Sequence, residues 1–271
     1  MSMFINTNVG AINAHRNLGM NNTAMGKTME KLSSGFRINR AADDAAGLAI
    51  SEKMRFQIGG MNQAMRNAQD GISLIQTAEG ALTEVHSMLQ RLNTLANQSA
   101  TGTYDNKDRA NTQKEVDALL AEIDNIAKST EFNGISLLST DTKVKFQIGV
   151  SKDNVLEADL KKMDVTALDI KDLKIGTQTE ASDALEKIEE AINIVSEQRA
   201  SFGAVQNRLE HTINNLGVTA ENLSASESRI RNADMAKEMT DFTRNQILVQ
   251  AGTAMLAQAN SAPQSVLKLL G

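Results

Sequence analysis

The sequence predicts a mainly α-helical chain: a long antiparallel helical bundle or coiled coil with a small β-hairpin region, its N- and C-terminal helices paired. Three observations predict it. Apolar residues alternate at spacings of three and four over two long stretches, the mark of helices that share a seam. Proline occurs once in 271 residues, so helices run without the interruption that costs about 3 kcal/mol at an internal proline. Aromatic residues make up 3% of the chain, with no Trp and one Tyr. Buried area must therefore come from Leu, Ile, Val, Met and Ala, which suits helices packed side by side rather than an aromatic core.

The longest stripe starts at Ala181. It continues through Leu185, Ile188, Ile192, Val195, Arg199, Phe202, Gln206, Leu209, Ile213, Leu216, Ala220, Leu223, Glu227 and Ile230. Three of these positions are polar, and the register survives them. At 1.5 Å per residue the stretch spans about 75 Å, so it needs an equally long partner. Ile75, Ala78, Leu82, Val85, Leu89, Leu92 and Ala96 keep the same spacing, with Met54, Ile58, Met61 and Met65 beginning the stripe upstream. A turn-forming run at 101–106 leads into a shorter helix over about 108–128. That helix carries Val116, Leu119, Ile123 and Ile126 on one face. The three form an antiparallel bundle, one helix returning from the far end of the sequence.

Between these helices the period changes to two. Val144, Phe146, Ile148 and Val150 alternate with polar residues, and 155–160 pairs back across 151–154, which reads as a hairpin. The ends differ again. Residues 4–34 carry Ile5, Val9 and Ile12, then Leu18, Met25, Met29 and Leu32 in a register displaced by one. At the other end Met235, Phe242, Val249 and Leu256 fall at intervals of seven, with Ile247, Ala251 and Ala254 on a neighbouring face. Both ends are amphipathic and too weak to fold alone. Periodicity leaves two arrangements open: the ends pair within one molecule, or other copies cover their apolar faces. Residues 33–40 break the first helix from the bundle.

A net charge of -5 with pI near 5.4 argues against nucleic acid as a partner, which requires a clustered basic footprint. The absence of Cys excludes disulfide frameworks and thiolate chemistry. No run reaches the roughly 18 apolar residues of a membrane span, and the N-terminus lacks the basic and apolar regions of a secretory signal. His15, His86 and His211 show no ligand spacing, and no His-Glu-x-x-His or glycine-rich phosphate loop occurs. No metal, cofactor or catalytic site is expected.

Long words in the sequence carry a family resemblance. KLSSGFRINRAADDAAGLAIS at 31–51 and NAQDGISLIQTAEGAL at 67–82 resemble the N-terminal signature of bacterial flagellins. AGTAMLAQAN at 251–260 and PQSVLKLL at 263–270 resemble their C-terminus. The resemblance implies a subunit that polymerises into the flagellar filament, serving swimming motility, in a short form without extra outer domains. It assigns 1–41 and 231–271 to a terminal, inner-tube domain. It assigns 42–230 to an outer-tube domain with a β-hairpin region at about 131–178. It further implies export through the flagellar secretion apparatus without a cleaved signal peptide, and an extracellular location. The implied partners are other copies, the filament cap, hook-associated proteins, an export chaperone at the C-terminal segment and the host Toll-like receptor for flagellin. The competing reading is a coiled-coil adaptor that never polymerises.

Residue by residue, LQRLNTLA at 89–96 resembles the receptor-binding and subunit-contact patch, so Gln90, Arg91 and Leu95 carry over, with Glu115 on the adjacent helix. From spacing alone Arg91 and Glu115 are solvated charges. Arg37, Arg40, Asp43 and Asp44 sit at the connector between domains and are expected to make charged contacts between subunits there. Ile5, Val9, Ile12, Met235, Phe242, Val249 and Leu256 are expected to pack the inner tube.

Overall fold

The computed structural model describes residues 7–270, with side chains through residue 261. Five helices follow the predicted stripes: α1 Val9–Ser34, α2 Ala45–Ala100, α3 Asn106–Ser129, α4 Gln178–Arg231 and α5 Met235–Leu270. Four short strands lie between α3 and α4: β1 Glu131–Phe132, β2 Ile135–Ser136, β3 Thr142–Gln147 and β4 Val155–Leu160. The chain divides into two units, Gln57–Glu221 and Met1–Phe56 with Asn222–Gly271.

The unit Gln57–Glu221 holds an extended apolar core. Ile75, Ala78, Leu82, Val85, Leu89, Leu92 and Ala96 of α2 are all buried, so this seam follows the predicted register without exception. α4 runs antiparallel to α2: Arg199 reaches Glu79 at 3.8 Å, and Met65 Sδ lies 4.0 Å from where a Cβ on Gly217 would stand. Along α4 the register differs from the predicted one at every second position. Ala181, Ile188, Val195, Phe202 and Leu209 are buried as predicted, but the intervening core positions are Ala184, Ala191, Gln198 and Val205. Leu185, Ile192 and Ile213 flank the core half-buried. The reason is breadth: α4 packs against the β-region as well as α2, so its buried face is wider than a two-helix seam. The polar residue in the core is thus Gln198, whose Nε2 donates to the carbonyl of Asp159 at 2.7 Å. α3 behaves the same way, burying Val116, Leu120, Ile123 and Ala127, with Leu119 and Ile126 half-buried beside them.

The turn between α2 and α3 is tied by Arg109. Its Nε donates to Ser99 O at 2.9 Å and its Nη2 to Thr101 O at 3.0 Å, which satisfies carbonyls at the end of α2 that have no helical partner. Asp105 caps α3. After α3, Asn133 and Gly134 adopt positive φ, 50° and 76°, and close β1 onto β2 as a two-residue hairpin. Asn-Gly is the pair such a turn favours.

β3 and β4 pair antiparallel from Thr142↔Leu160 to Gln147↔Val155, the hairpin the alternation predicts. Phe146, Leu156, Ala158 and Leu160 face the core, and Lys143–Asp159 and Lys145–Glu157 pair on the solvent side. This hairpin lies directly on α2 because two glycines let it. A Cβ on Gly60 would stand 2.8 Å from Val150 Cγ2, and one on Gly71 3.1 Å from the Phe146 ring. Between them Asn67 Nδ2 donates to Gln147 O at 3.0 Å. Residues 161–177 then bury Met163, Val165, Leu168, Ile170, Leu173 and Ile175 without helix or strand. Gln113 holds this segment with both ends of its amide, donating to Leu173 O at 3.1 Å and accepting from Ile175 N at 2.7 Å. Thr177 and Glu180 exchange hydrogen bonds at the start of α4, a capping box.

Candidate assembly surface

In the unit Met1–Phe56 with Asn222–Gly271, α1 and α5 run antiparallel. Asn8 Nδ2 donates to Ala259 O at 2.7 Å, and Lys31 Nζ meets Glu238 Oε1 at 3.2 Å. Between these ends Leu18 packs where Gly252 leaves room, its Cδ1 3.2 Å from a Cβ placed there. Phe242, Val249 and Leu256 are half-buried on the row of α5 that contains Glu238 and Gly252. Val9 (57% exposed), Ile12 (60%) and Met235 (47%) face solvent instead. Ile5 lies outside the described residues.

The pair of helices therefore shields one row and leaves others bare. Of the 15 large apolar side chains exposed among the described residues, 12 belong to this unit. They include Met20, Met239, Ile247, Leu248 and Met255, most of them off the seven-residue spacing that drew attention to α5. Ile38 is the unit's one buried apolar side chain among the described residues, against 36 in Gln57–Glu221. Exposed apolar residues concentrated in one unit make that unit the candidate interaction surface.

The connectors of this unit bind each other. Phe36 bridges Asn232, Arg37 N donates to Arg231 O at 2.7 Å, and Ala233 N donates to Gly35 O at 2.9 Å. Gly35, in the left-handed conformation (φ 74°), ends α1, as helix C-termini prefer. The Arg37 guanidinium donates to Ile230 O. Arg231 stacks over Phe36, 4.8 Å from the ring centre, and pairs with Glu52 at 2.5 Å. Arg40 pairs with Glu30 at 2.9 Å. Asp43 accepts from the backbone N–H groups of Asn39 and Arg40 at 3.2 and 3.0 Å, and Asp44 accepts from Gly47 N at 2.8 Å at the start of α2. All four connector residues predicted from sequence thus have partners within their own chain.

Two of these carboxylates are held in their charged form by their partners. The Arg40 and Asn39 amides hold Asp43 below its ordinary value of 3.8. The Arg231 side chain holds Glu52 below 4.5. A lowered carboxylate stabilises the fold above its unfolded pKa, and that stability is lost as pH falls through the folded value. Acidification below the ordinary carboxylate range should therefore loosen the connector. Amide exchange at Asn39 and Arg40, corrected for intrinsic rates, should speed up there in the parent and not in Asp43→Ala, which has no side-chain acceptor and whose baseline is already fast; a pH-independent parent would contradict it.

The second surface lies on α2 and α3. Arg91 Nη2 and Nε both meet Glu115 Oε1, at 2.7 and 2.8 Å, with both side chains half-exposed; such a pair contributes roughly 0–1 kcal/mol. Gln90 is exposed beside His86, 3.0 Å between their nitrogens. Leu95 differs from these three: it is 1% exposed and packs in the core.

Comparison with known proteins gives the family. The family described as bacterial flagellin N-terminal helical region matches residues 5–143, and the bacterial flagellin C-terminal helical region matches 185–270. The chain belongs to the bacterial flagellins. A flagellin of Halalkalibacterium halodurans is 56% identical over 273 residues, covering 99% of this chain and 100% of that one. A Bacillus subtilis flagellin is 52% identical over 303 residues, again covering 99% and 100%. The crystal structure of Bacillus cereus flagellin superposes with a TM-score of 0.50 at 34% identity, covering 60% of this chain and 94% of that one.

As a flagellin, the protein is a structural subunit that polymerises with copies of itself into the bacterial flagellar filament, and not an enzyme. Its length matches the short form of the family. Among the described residues no helix is long and apolar enough to cross a membrane, and no cluster of three metal-ligating side chains occurs.

Proposed function

We propose that residues 1–41 and 231–271 of this flagellin form the inner tube of the filament, and residues 42–230, with the β-region at about 131–178, the outer tube. The observation that carries this is the contrast between a terminal unit with one buried apolar side chain and a central unit with 36. A two-helix pair with bare apolar rows gains its missing burial from neighbouring copies. Arg37 and Arg40, whose side chains are also exposed, supply charged contacts to a neighbour at the connector. Seeded growth tests the reading. The full chain extends short filament fragments, whereas chains lacking 1–34 or 235–271 retain the melting of the central bundle and do not extend them. Extension by a truncated chain would sink it.

The same reading supplies the route and the partners. The chain is exported through the flagellar secretion apparatus without signal cleavage and resides outside the cell. It meets the filament cap, hook-associated proteins and, at its C-terminal segment, an export chaperone. Gln90, Arg91 and Glu115 face outward in support of a docking patch for the host Toll-like receptor that senses flagellin. Leu95 acts there by packing beneath the patch. Arg91→Ala should lower receptor activation by the monomer about tenfold, the effect of losing one charge-assisted contact worth about 1.5 kcal/mol. Unchanged activation would remove Arg91 from that role.

A further inference from the structure

We propose that Met20, Met29, Met235, Met239 and Met255 form a reversible oxidation site that governs whether a free subunit joins the filament. The proposal rests on the reading that other copies cover the terminal unit. The distribution of methionine carries it. These five side chains are 47–64% exposed, and all lie on α1 or α5. No methionine of the described Gln57–Glu221 unit reaches that exposure, and Met163 there is fully buried. The central core is built mostly from Leu, Ile, Val and Ala, with Met163 its one buried methionine among the described residues, while the bare faces of the terminal pair are rich in thioethers. Flexible thioethers suit contacts that must adapt to a neighbour, and they are the apolar side chains open to mild oxidation.

The chemistry balances with hydrogen peroxide as oxidant. A thioether sulfur lone pair attacks the distal peroxide oxygen, an S–O bond forms, and the O–O bond breaks. The leaving hydroxide takes the proton and departs as water. Sulfur loses two electrons and the peroxide gains them. The product sulfoxide places a strong dipole on a face whose contribution to assembly is apolar burial, and burying it without a partner is unfavourable. A dithiol, acting through methionine sulfoxide reductases of both stereospecificities, returns the thioether and releases water and a disulfide. Once subunits are assembled, neighbouring copies shield the same sulfurs.

The test compares free subunits and preformed filaments in dilute hydrogen peroxide, with peptide mass spectrometry locating each added oxygen. The expected result has three parts. The five exposed methionines of free subunits oxidise well ahead of Met163, and seeded elongation by those subunits falls at least about tenfold. Reductases with a dithiol restore the rate. In filaments the same sulfurs oxidise at least about tenfold more slowly, as buried thioethers do. A chain with all five changed to Leu, compared with its own untreated rate, loses none of its elongation to peroxide. Oxidised parent that elongates at the untreated rate would overturn the proposal, as would failure of the reductases to restore growth. Equal oxidation in filaments and free subunits would do the same. Failure of untreated parent to extend seeds would instead sink the assembly reading, and the proposal with it.

Discussion

Ile12→Lys combined with Ile247→Lys should abolish elongation onto filament seeds while leaving the melting of the central bundle unchanged. Both residues are about 60% exposed in the single chain, on α1 and α5 respectively, so neither substitution removes a contact that holds the monomer together. Surface changes of this kind alter stability by no more than about 0.5 kcal/mol. In the filament the account places both side chains against neighbouring copies, where each isoleucine contributes roughly 1.5–3 kcal/mol by burial. Losing two raises the critical concentration at least about 100-fold, since each 1.4 kcal/mol is a factor of ten. A desolvated lysine adds to that loss. Growth within a factor of two of the parent would show that these faces are not buried in assembly.

The opposite pattern is expected at Phe202, the largest fully buried side chain of α4. It is 1% exposed within the central core, in a chain with seven Phe and no Trp. Phe202→Ala removes the transfer free energy of the ring and leaves a cavity that long helices, fixed by contacts along their length, cannot close. The cost is about 3–5 kcal/mol, and with a urea slope of about 2–3 kcal/mol/M the midpoint falls by at least about 1 M. A loss under about 1 kcal/mol would mean that the site collapses around the alanine. The two variants therefore test the proposed division, in which the central unit carries the stability of the subunit and the terminal unit its capacity to join.

Much of the fold was legible in the sequence alone. The α2 seam from Ile75 to Ala96 follows the predicted positions one for one, because a helix packed chiefly along one face writes that face into its sequence. The α4 seam drifted by one residue at alternate positions for the converse reason. α4 packs on several elements at once, and its wide buried face admits two nearly equivalent registers. Following the larger residues, Leu185 and Ile192, led away from Ala184 and Ala191, which are the buried ones. The β3–β4 hairpin was readable from its alternation. The β1–β2 turn was not read, although Asn133-Gly134 carried a strong signal for it. The capping box of Thr177 and Glu180 also stood in the sequence unread. Residues 161–177 gave no usable period because they bury apolar side chains from irregular backbone held by hydrogen bonds such as those of Gln113.

At the candidate sites the limits were of another kind. Resemblance supplied Leu95 together with Gln90 and Arg91, and sequence position does not distinguish an outward residue from one turned into the core. Helical spacing does: Leu95 falls three residues after Leu92, on the buried row. The seven-residue spacing of Phe242, Val249 and Leu256 marked the row that α5 turns toward α1. The rows beside it, with Ile247, Leu248 and Met255, are left exposed by the single chain and are the ones proposed to meet neighbouring copies. Their meaning emerges only when one asks which apolar side chains the folded chain fails to cover.

Hydrogen exchange of α1 and α5, measured residue by residue in dilute subunits and again in filaments, tests the division of labour most directly. In free subunits their amides should exchange orders of magnitude faster than those of the α2 seam, because a helix pair without a core opens at little cost, and in filaments they should become as protected as that seam. Terminal amides already as slow as those around Leu89 in dilute, unassembled protein would contradict it.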